Sequence, residues 1–520
     1  MALPMGLAFG VVSGAGPVAG LYCAICTGLC AALFGGTPTQ IAGPTGPIAI
    51  VMAGVFLQFS GQPAAAVGVV MLAGAVQMVF GALRLGRYIS LIPYPVISGF
   101  VSGAGCIIIV MQLNPLLGLA SVTDTVTAVR VLPSSLADAN VWATAVAAVA
   151  LGACYLLPPR VRVLVPAELA VLVLGTLTVL LLEIDIPRLA APQSLLPRVS
   201  WPPFTELPWE DMWMAAVVIA LISSLDSLLT SMAADSATQR FHDSNRELLG
   251  QGIGNLFAGL LGAIPGAGAT SRTMANIRAG GVSPLSGVCH SLLLLALLLG
   301  AGSAIRYIPA ALLSGILLHI ALQMIDWSYI KRFPYAPRGG VLIMIVVWVL
   351  AVFVSVVAAV AVGVIMASLA LVKRMADLQL ETVELSAEGG PTPRLSEAER
   401  VVFERCSDRV LLIHLGGPMT FGAANGLTKR LANIASYRGV ILDLSDVPHI
   451  DESATLALES IVRRAQENDQ TVILVGLRRQ VVRAFVRFGM LPLIKRCIRF
   501  RRRLDALHYA AELIREPEAG

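Results

Sequence analysis

Charge is what this chain has least of. Only 13% of its 520 residues are Asp, Glu, Lys or Arg, 56% are hydrophobic, and the mean hydropathy is +0.79. That balance excludes an ordinary soluble enzyme of this size and points to a polytopic α-helical membrane protein. The scarcity is uneven: charge is thin from Met1 to about Leu371 and dense from about Glu381 onward, which divides a membrane part from a soluble tail. The formal charge of +5 therefore describes no single surface. The eight cysteines lack the paired spacing of a disulfide framework. Cys23, Cys26 and Cys30 share a helical face, but no acidic residue or histidine lies near them in sequence, so helix packing through small residues is expected there rather than a metal site. The first segment also lacks a basic start and an A-x-A site, so no cleavable signal peptide is expected.

What is abundant is long apolar runs. Spans of about 20 residues, enough to cross a bilayer, fall near 17–34, 64–83, 94–113, 140–157, 163–182, 211–233, 246–263, 283–300, 307–325, 338–355 and 356–372. Two shorter spans, near 45–60 and 270–280, follow segments broken by glycine and proline: AGPTGP at 42–47 and IPGAGATSR at 264–272. Residues 1–13 are too few for a complete span before Gly14, Gly16 and Pro17, so the first helix is read as truncated, with an upstream piece expected.

Counting that stub gives fourteen spans. Arg84, Arg87, Arg160, Arg162, Arg240, Arg246, Lys331, Arg332, Lys373 and Arg374 then share one side, against Arg130, Arg188, Arg198 and Arg306 on the other. The positive-inside rule makes the first side cytoplasmic, and the tail after Arg374 with it. Each half, roughly 1–185 and 210–372, holds seven spans. An odd number inverts the second half relative to the first, and the broken segment is the third span of each. Such a 7+7 inverted repeat is a transporter architecture with its site at the midplane.

Backbone that is not helical at membrane depth must line a cavity or be satisfied by protein. A helix starting just after a break offers unpaired N–H groups and the positive end of its dipole, so two such starts make an anion site without formal charge. Thr45 and the run Gly268, Ala269, Thr270 are placed to do this. Ser223, Asp226, Ser227 and Thr230 fall at i, i+3, i+4 and i+7 on one helical face. An aspartate in mid-span costs on the order of 3 kcal/mol and needs a partner: a sodium ion completed by Thr230, a proton, or Arg272. Arg272 either adds positive charge beside the anion or neutralises Asp226. Glu247, Gln251 and Asn255 form a second polar stripe, read as interhelical hydrogen bonding. His290 and His319, in apolar spans, are read as packed and hydrogen-bonded, with a proton relay as the alternative.

The tail reads as a linker, 376–407, and a small α/β domain, 408–520, following a membrane domain at 1–375. Strands are expected at 409–415, 438–447 and 471–476, with helices near 423–435, 453–467 and 478–488 between them. Asp451, Glu452 and Ser453 occupy an N-cap position. Arg496, Arg499, Arg501, Arg502 and Arg503 are read as a solvated or membrane-facing basic stretch, with no nucleic-acid partner expected.

Four stretches, GPVAGLYCAICTGLCAALFGGTPTQIAGPTGP at 16–47, LDSLLTSMAADS at 225–236, NRELLGQGIGN at 245–255 and GAGATSR at 266–272, together resemble the SulP anion permeases. GPMTFGAA at 417–424 and ILDLSDVPHIDESATLALE at 441–459 resemble their STAS domain. The resemblance implies a fourteen-span core-and-gate fold of the uracil-permease type, a cytoplasmic STAS domain, location in the cytoplasmic (inner) membrane and a homodimer. Its nearest branch is the sodium-dependent bicarbonate transporters of cyanobacterial type. Their anion site maps onto Thr45, Gly268, Ala269 and Thr270, and their sodium site onto Asp226 and Thr230. Arg272 departs from that branch, which has a small residue there; the pair Ser271–Arg272 is that of sulfate and other SulP carriers. The resemblance also places Ser453 at the phosphorylated serine of anti-sigma antagonists, although Glu452 and Ala454 change its surroundings. The function expected is non-enzymatic: secondary transport of bicarbonate or sulfate by alternating access, coupled to sodium or protons, with no cofactor beyond such an ion. An anion channel and a STAS-based sensor that binds a cytoplasmic partner are the alternatives.

Overall fold

The computed structural model describes residues 1–60, 62–89, 92–122, 125–158, 165–190, 195–197, 199, 201–202, 208–381, 383–386, 395–420 and 437–515. Two compact units divide the chain, Met1–Ala367 and Ser368–Gly520.

In the first unit most helices begin where the sequence places proline or a break, and others behind a capping Asn140 or Asp243. They are α1 (Ala2–Val12), α2 (Pro17–Phe34), α3 (Gly46–Gln58), α4 (Pro63–Ala82), α5 (Tyr94–Leu116), α6 (Thr125–Ala137), α7 (Val141–Leu156) and α8 (Ala167–Leu181) in the first half. The second half holds α9 (Trp209–Thr238), α10 (Ser244–Leu260), α11 (Thr270–Arg278), α12 (Pro284–Ala301), α13 (Ala310–Met324), α14 (Arg338–Phe353) and α15 (Val356–Glu381). Proline at the first or second position of α2, α3, α4, α5 and α12 suits a helix start, where the missing N–H has no partner to lose. All fourteen expected spans are helices. The amphipathic α6 was not among them; it meets α7 at a bend of 119°. Among the described residues, six helices are long and apolar enough to cross a membrane singly, and α1, α3, α8, α13 and α14 are shorter apolar helices.

The helices sort into two bundles. In one, α10 packs on α4 and α2, α9 on α4, α12 on α2 and α1 on α2; in the other, α13 packs on α5 and α7, and α14 on α5. The first is the core bundle and the second the gate bundle. Glycine lets the core backbones touch: a Cβ on Gly74 of α4 would lie 2.6 Å from the Gly252 carbonyl of α10, and one on Gly252 2.7 Å from the Gly74 carbonyl. Close small-residue approach of this kind replaces the hydrophobic driving force that lipid removes.

The second unit is a sheet of five strands in the order β3 (Val383–Ser386), β4 (Val410–Gly416), β5 (Gly439–Asp446), β6 (Thr471–Val475), β7 (Ile498–Phe500). β3 is antiparallel to β4 and the rest are parallel. The strands alternate between two cores, as a side-chain period of two requires. Leu411, Ile413, Leu442 and Leu474 meet Leu458 and Ile461 of α17 (Glu452–Glu467) and Phe485 of α18 (Arg479–Arg487). Leu412, Ile441 and Ile473 meet Phe403 of α16 (Glu397–Phe403) and Leu507 of α20 (Arg503–Arg515), the latter following the short α19 (Leu491–Lys495). The stretch 376–407, expected to be linker, thus carries the end of α15, a strand and a helix. The helix expected near 423–435 lies outside the described residues.

Candidate functional site

The two breaks meet. β1 (Ala42–Gly43) and β2 (Ala267–Gly268) form an antiparallel pair, Ala42 opposite Gly268 and Gly43 opposite Ala267, and the Ala269 N–H extends it to the Ile41 carbonyl at 2.9 Å. Beyond the pair each chain turns into a short helix: α3 behind Thr45 as N-cap, α11 behind Ala269. Neither start is capped by a side chain. The first-turn N–H groups of both helices are therefore left with no partner inside their own helix, and the pairing sets both positive helix ends beside one another.

The Thr45 hydroxyl is turned away from its own helix and donates to Asp226 Oδ2 at 2.8 Å. One turn along α9, Thr230 Oγ1 donates to the Gly268 carbonyl at 3.0 Å and lies 2.8 Å from Thr270 Oγ1. Thr45, Gly268, Ala269 and Thr270, expected at the anion, and Asp226 and Thr230, expected at the cation, are thus brought together. Their oxygens are of the hard type that suits sodium. Thr45 and Asp226 are half-buried and Thr270 is exposed, while Gly268, Ala269 and Thr230 are buried behind them. The start of α3 packs against the gate: a Cβ on Gly46 would lie 2.7 Å from Met324 Cε of α13 and 3.1 Å from Ile108 of α5.

Arg272 does not take the second of its two expected places, beside Asp226. Among the described residues it forms no ion pair with Asp226; its Nη2 donates to the Pro44 carbonyl at 2.7 Å, and the side chain is 4% exposed. The guanidinium lies against Gly43, where a Cβ would come within 2.5 Å of Nη1, and φ there is 152°. Among the described residues, its Nε and Nη1 have no hydrogen-bond partner. The charge therefore stands behind the backbone of the first break.

The other two residues of the α9 face hold the second break in shape. Ser223 Oγ donates to the Gly266 carbonyl at 2.7 Å, and Ser227 Oγ accepts the Gly268 N–H at 3.1 Å. Asn255 completes the clasp, accepting the Gly266 N–H at 2.7 Å and donating to Gln77 at 2.8 Å. Glu247 secures the other break: it accepts from the Gly36 and Thr37 N–H groups, both at 3.0 Å, from Gln40 at 2.8 Å and from Gln251 at 3.0 Å. The Glu247, Gln251, Asn255 stripe is hydrogen-bonded as expected, but to the broken segments as well as to helices. Gln40 and Gln77 were missed; a glutamine in an apolar run was the available signal. Cys23, Cys26 and Cys30 are buried on α2.

In the second unit, Asp451 caps α17, accepting the Ala454 N–H at 2.8 Å, and Ser453 is half-buried in the first turn. Arg503 departs from the basic stretch: it pairs with Glu399 at 3.0 Å and with buried Asp443 at 3.1 Å. Two carboxylates within reach of one guanidinium draw it inward. His414 Nδ1 also meets Asp443, at 2.9 Å, and this hydrogen bond raises the imidazole above its usual range against the opposing effect of burial. Burial works to raise Asp443, but hydrogen bonds from His414 and Ser445 outweigh it and leave the carboxyl below its usual range.

Two uncapped half-helices meeting behind a carboxylate, between a core and a gate bundle, define a membrane transport protein of the broken-helix class. The sulfate permease family pattern matches residues 1–347 and the STAS domain pattern residues 404–506. The chain belongs to the sulfate permease family. It is 40% identical over 508 residues to the bicarbonate transporter BicA of Picosynechococcus, covering 95% of this chain and 89% of that one. It is 30% identical over 492 residues to the putative sulfate transporter YvdB of Bacillus subtilis, with 92% and 90% covered. Among solved structures, the transmembrane domain of a cyanobacterial BicA superposes with a TM-score of 0.64 at 40% identity, covering 71% of this chain and 94% of that one. The murine anion transporter Slc26a9 in its inward-facing state superposes at 0.82 and 20% identity, covering 98% and 89%, which speaks for the fold alone. The relatives are bicarbonate and sulfate transporters, and anion transport is the function they share with this chain.

Proposed function

We propose that this chain carries bicarbonate across the cytoplasmic membrane by alternating access, the core bundle moving its site past the gate bundle, with sodium as the coupling ion and the STAS domain on the cytoplasmic side. The anion sits at the first-turn N–H groups of α3 and α11, with Thr45 and Thr270 hydroxyls at its edge. Sodium sits against Asp226, with Thr230, Thr270 and the Gly268 carbonyl as further oxygens. Sodium neutralises Asp226 beside the anion, so each ion favours the other's binding. The observation that carries this reading is the Thr45–Asp226 hydrogen bond, which ties the start of one half-helix to the one carboxylate of the cluster. Bicarbonate is preferred to sulfate on the likeness to BicA transporters; Arg272 behind the first break is what favours sulfate as the second reading. Uptake of labelled bicarbonate and of labelled sulfate into proteoliposomes, with and without sodium at fixed pH, tests both. Sodium-stimulated bicarbonate uptake is expected; sulfate uptake alone, or uptake indifferent to sodium, overturns the substrate or the coupling respectively.

A further inference from the structure

The gate bundle holds a second buried acid–base pair that the transport site does not use. Glu168, in the first turn of α8, is 5% exposed, and His319 of α13 is 4% exposed. His319 Nε2 stands 3.9 Å from Glu168 Oε1, too far for a hydrogen bond but close enough for charge to matter. The ring packs edge-on against Tyr155 of α7, with centroids 4.5 Å apart. One turn along α13, Gln323 Nε2 lies 2.8 Å from the same His319 nitrogen. Gln323 in turn lines a 460 Å³ cavity with Tyr94, Ser98 and Asp326, at the end of the bundle that Lys331 and Arg332 assign to the cytoplasm. A carboxylate within a span needs a partner, and a histidine beside it supplies one only when protonated.

We propose that His319 and Glu168 form a proton-binding site in the gate bundle, filled from the cytoplasmic side through the Gln323-lined cavity, whose occupancy sets the transport rate. The proton passes from cavity water to His319 Nε2, giving an imidazolium beside the carboxylate, and leaves by the same route. With the ring neutral, the Gln323 amide donates to Nε2. With the ring protonated, Nε2–H points to the carboxylate and ties α13 to α8. The consequence for transport follows from α13 itself, whose Met324 lies against Gly46 at the start of α3. Among the described residues, the other titratable groups on helices packed against α13 are Cys154 and Tyr155 of α7, Tyr94 and Cys106 of α5 and the amino group of Met1 at α1. Tyr94 is held by Asp326 at 2.5 Å, Cys106 lies 3.3 Å from the Trp348 indole, and the Met1 amino group is within electrostatic range of Glu168.

Two measurements on the full chain test this. With ¹³C-labelled histidine in nanodiscs, one ring resonance absent from H319Q should titrate between about pH 5 and pH 8, and E168Q should displace its midpoint. In proteoliposomes, the initial rate of labelled bicarbonate uptake, expressed per bicarbonate ion, should follow that midpoint in the unaltered chain, become flat in H319Q and move with the displaced midpoint in E168Q while uptake persists. A His319 resonance that does not titrate overturns the site, whatever the transported anion. An H319Q or E168Q pH profile that superimposes on that of the unaltered chain overturns its role in transport. If H319Q fails to fold, E168Q carries both measurements.

Discussion

Asp226→Asn separates the proposed coupling role of this residue from its structural one. Asparagine has the shape of aspartate and keeps an oxygen for the Thr45 hydroxyl, which now donates at 2.8 Å, so the start of α3 keeps its tie to α9. What disappears is the charge. A unit charge about 2.5 Å from a sodium ion, at an effective dielectric constant of about 20, attracts it by about 7 kcal/mol before the ion's dehydration is subtracted. If about 3 kcal/mol of that survives dehydration, its loss weakens sodium binding about 100-fold. The assay is initial bicarbonate uptake into proteoliposomes against sodium concentration, with the thermal unfolding midpoint measured alongside. The expected outcome is an apparent sodium requirement raised about 100-fold in a protein that unfolds within a few degrees of the unaltered chain. A sodium curve that does not move would refute the assignment of Asp226. An unfolding midpoint that collapses would refute the claim that the site tolerates loss of the charge.

Glu247→Gln replaces two acceptor oxygens by one and sets an amide among four donors, from Gly36, Thr37, Gln40 and Gln251. At about 1–3 kcal/mol for each donor left unpaired, a loss of about 2–5 kcal/mol is expected, read as a lowered midpoint of thermal unfolding in detergent. Gly20→Ala places a Cβ 1.9 Å from the Gly6 carbonyl of α1, backbone against backbone, whereas a Cβ at Gly54 meets nothing within 4 Å; the first change should destabilise by about 3 kcal/mol and the second by less than about 1 kcal/mol in the same assay. The STAS domain should lose stability at both ends of the pH scale. His414, raised by Asp443, contributes fully below its unfolded value and less as pH climbs through its folded value; Asp443, lowered, contributes above its unfolded value and less as pH falls through its folded one. Hydrogen exchange at β4 and β5 in the full chain should therefore quicken as pH rises past neutrality, after correction for intrinsic exchange, and H414Q should abolish that part of the dependence.

The membrane part was legible because lipid leaves few options. Apolar runs of the right length must be helices, and glycine and proline at 42–47 and 264–272 can only interrupt them, so α3 and α11 could be placed without a structure. The pairing that makes the site was not legible: β1 and β2 are two residues each, with no periodicity to read, and their partners are separated by more than 220 positions in the chain. The same distance hid the tasks of Ser223 and Ser227. A helical face predicts which residues share a direction, not whether they meet an ion or a carbonyl. In the tail, β3 and α16 lay in a stretch whose Gly389, Gly390, Pro391 and Pro393 suggested a linker throughout. Arg503 sat among basic neighbours in sequence, while Glu399 and Asp443 that claim it lie 104 and 60 residues away.

Arg272 shows why position in a motif does not fix a role. Two residues into α11, it could be expected at the rim of the site, yet the glycine at 43 leaves room for its guanidinium behind the first break, where Nη2 takes the Pro44 carbonyl. From there it has no contact with Asp226, so the carboxylate remains available to a cation. The positive charge still stands beside the backbone that leads into α3, and in a low-dielectric interior it adds to the potential at that helix start. Both charges attach to the first break, Asp226 through the Thr45 hydroxyl and Arg272 through the Pro44 carbonyl, so the two breaks are not equivalent in charge. On the proposed reading, an anion at the start of α3 gains from Arg272 without displacing the hydrogen bond that Arg272 makes to Pro44, and a cation at Asp226 compensates the negative group that the anion would otherwise meet.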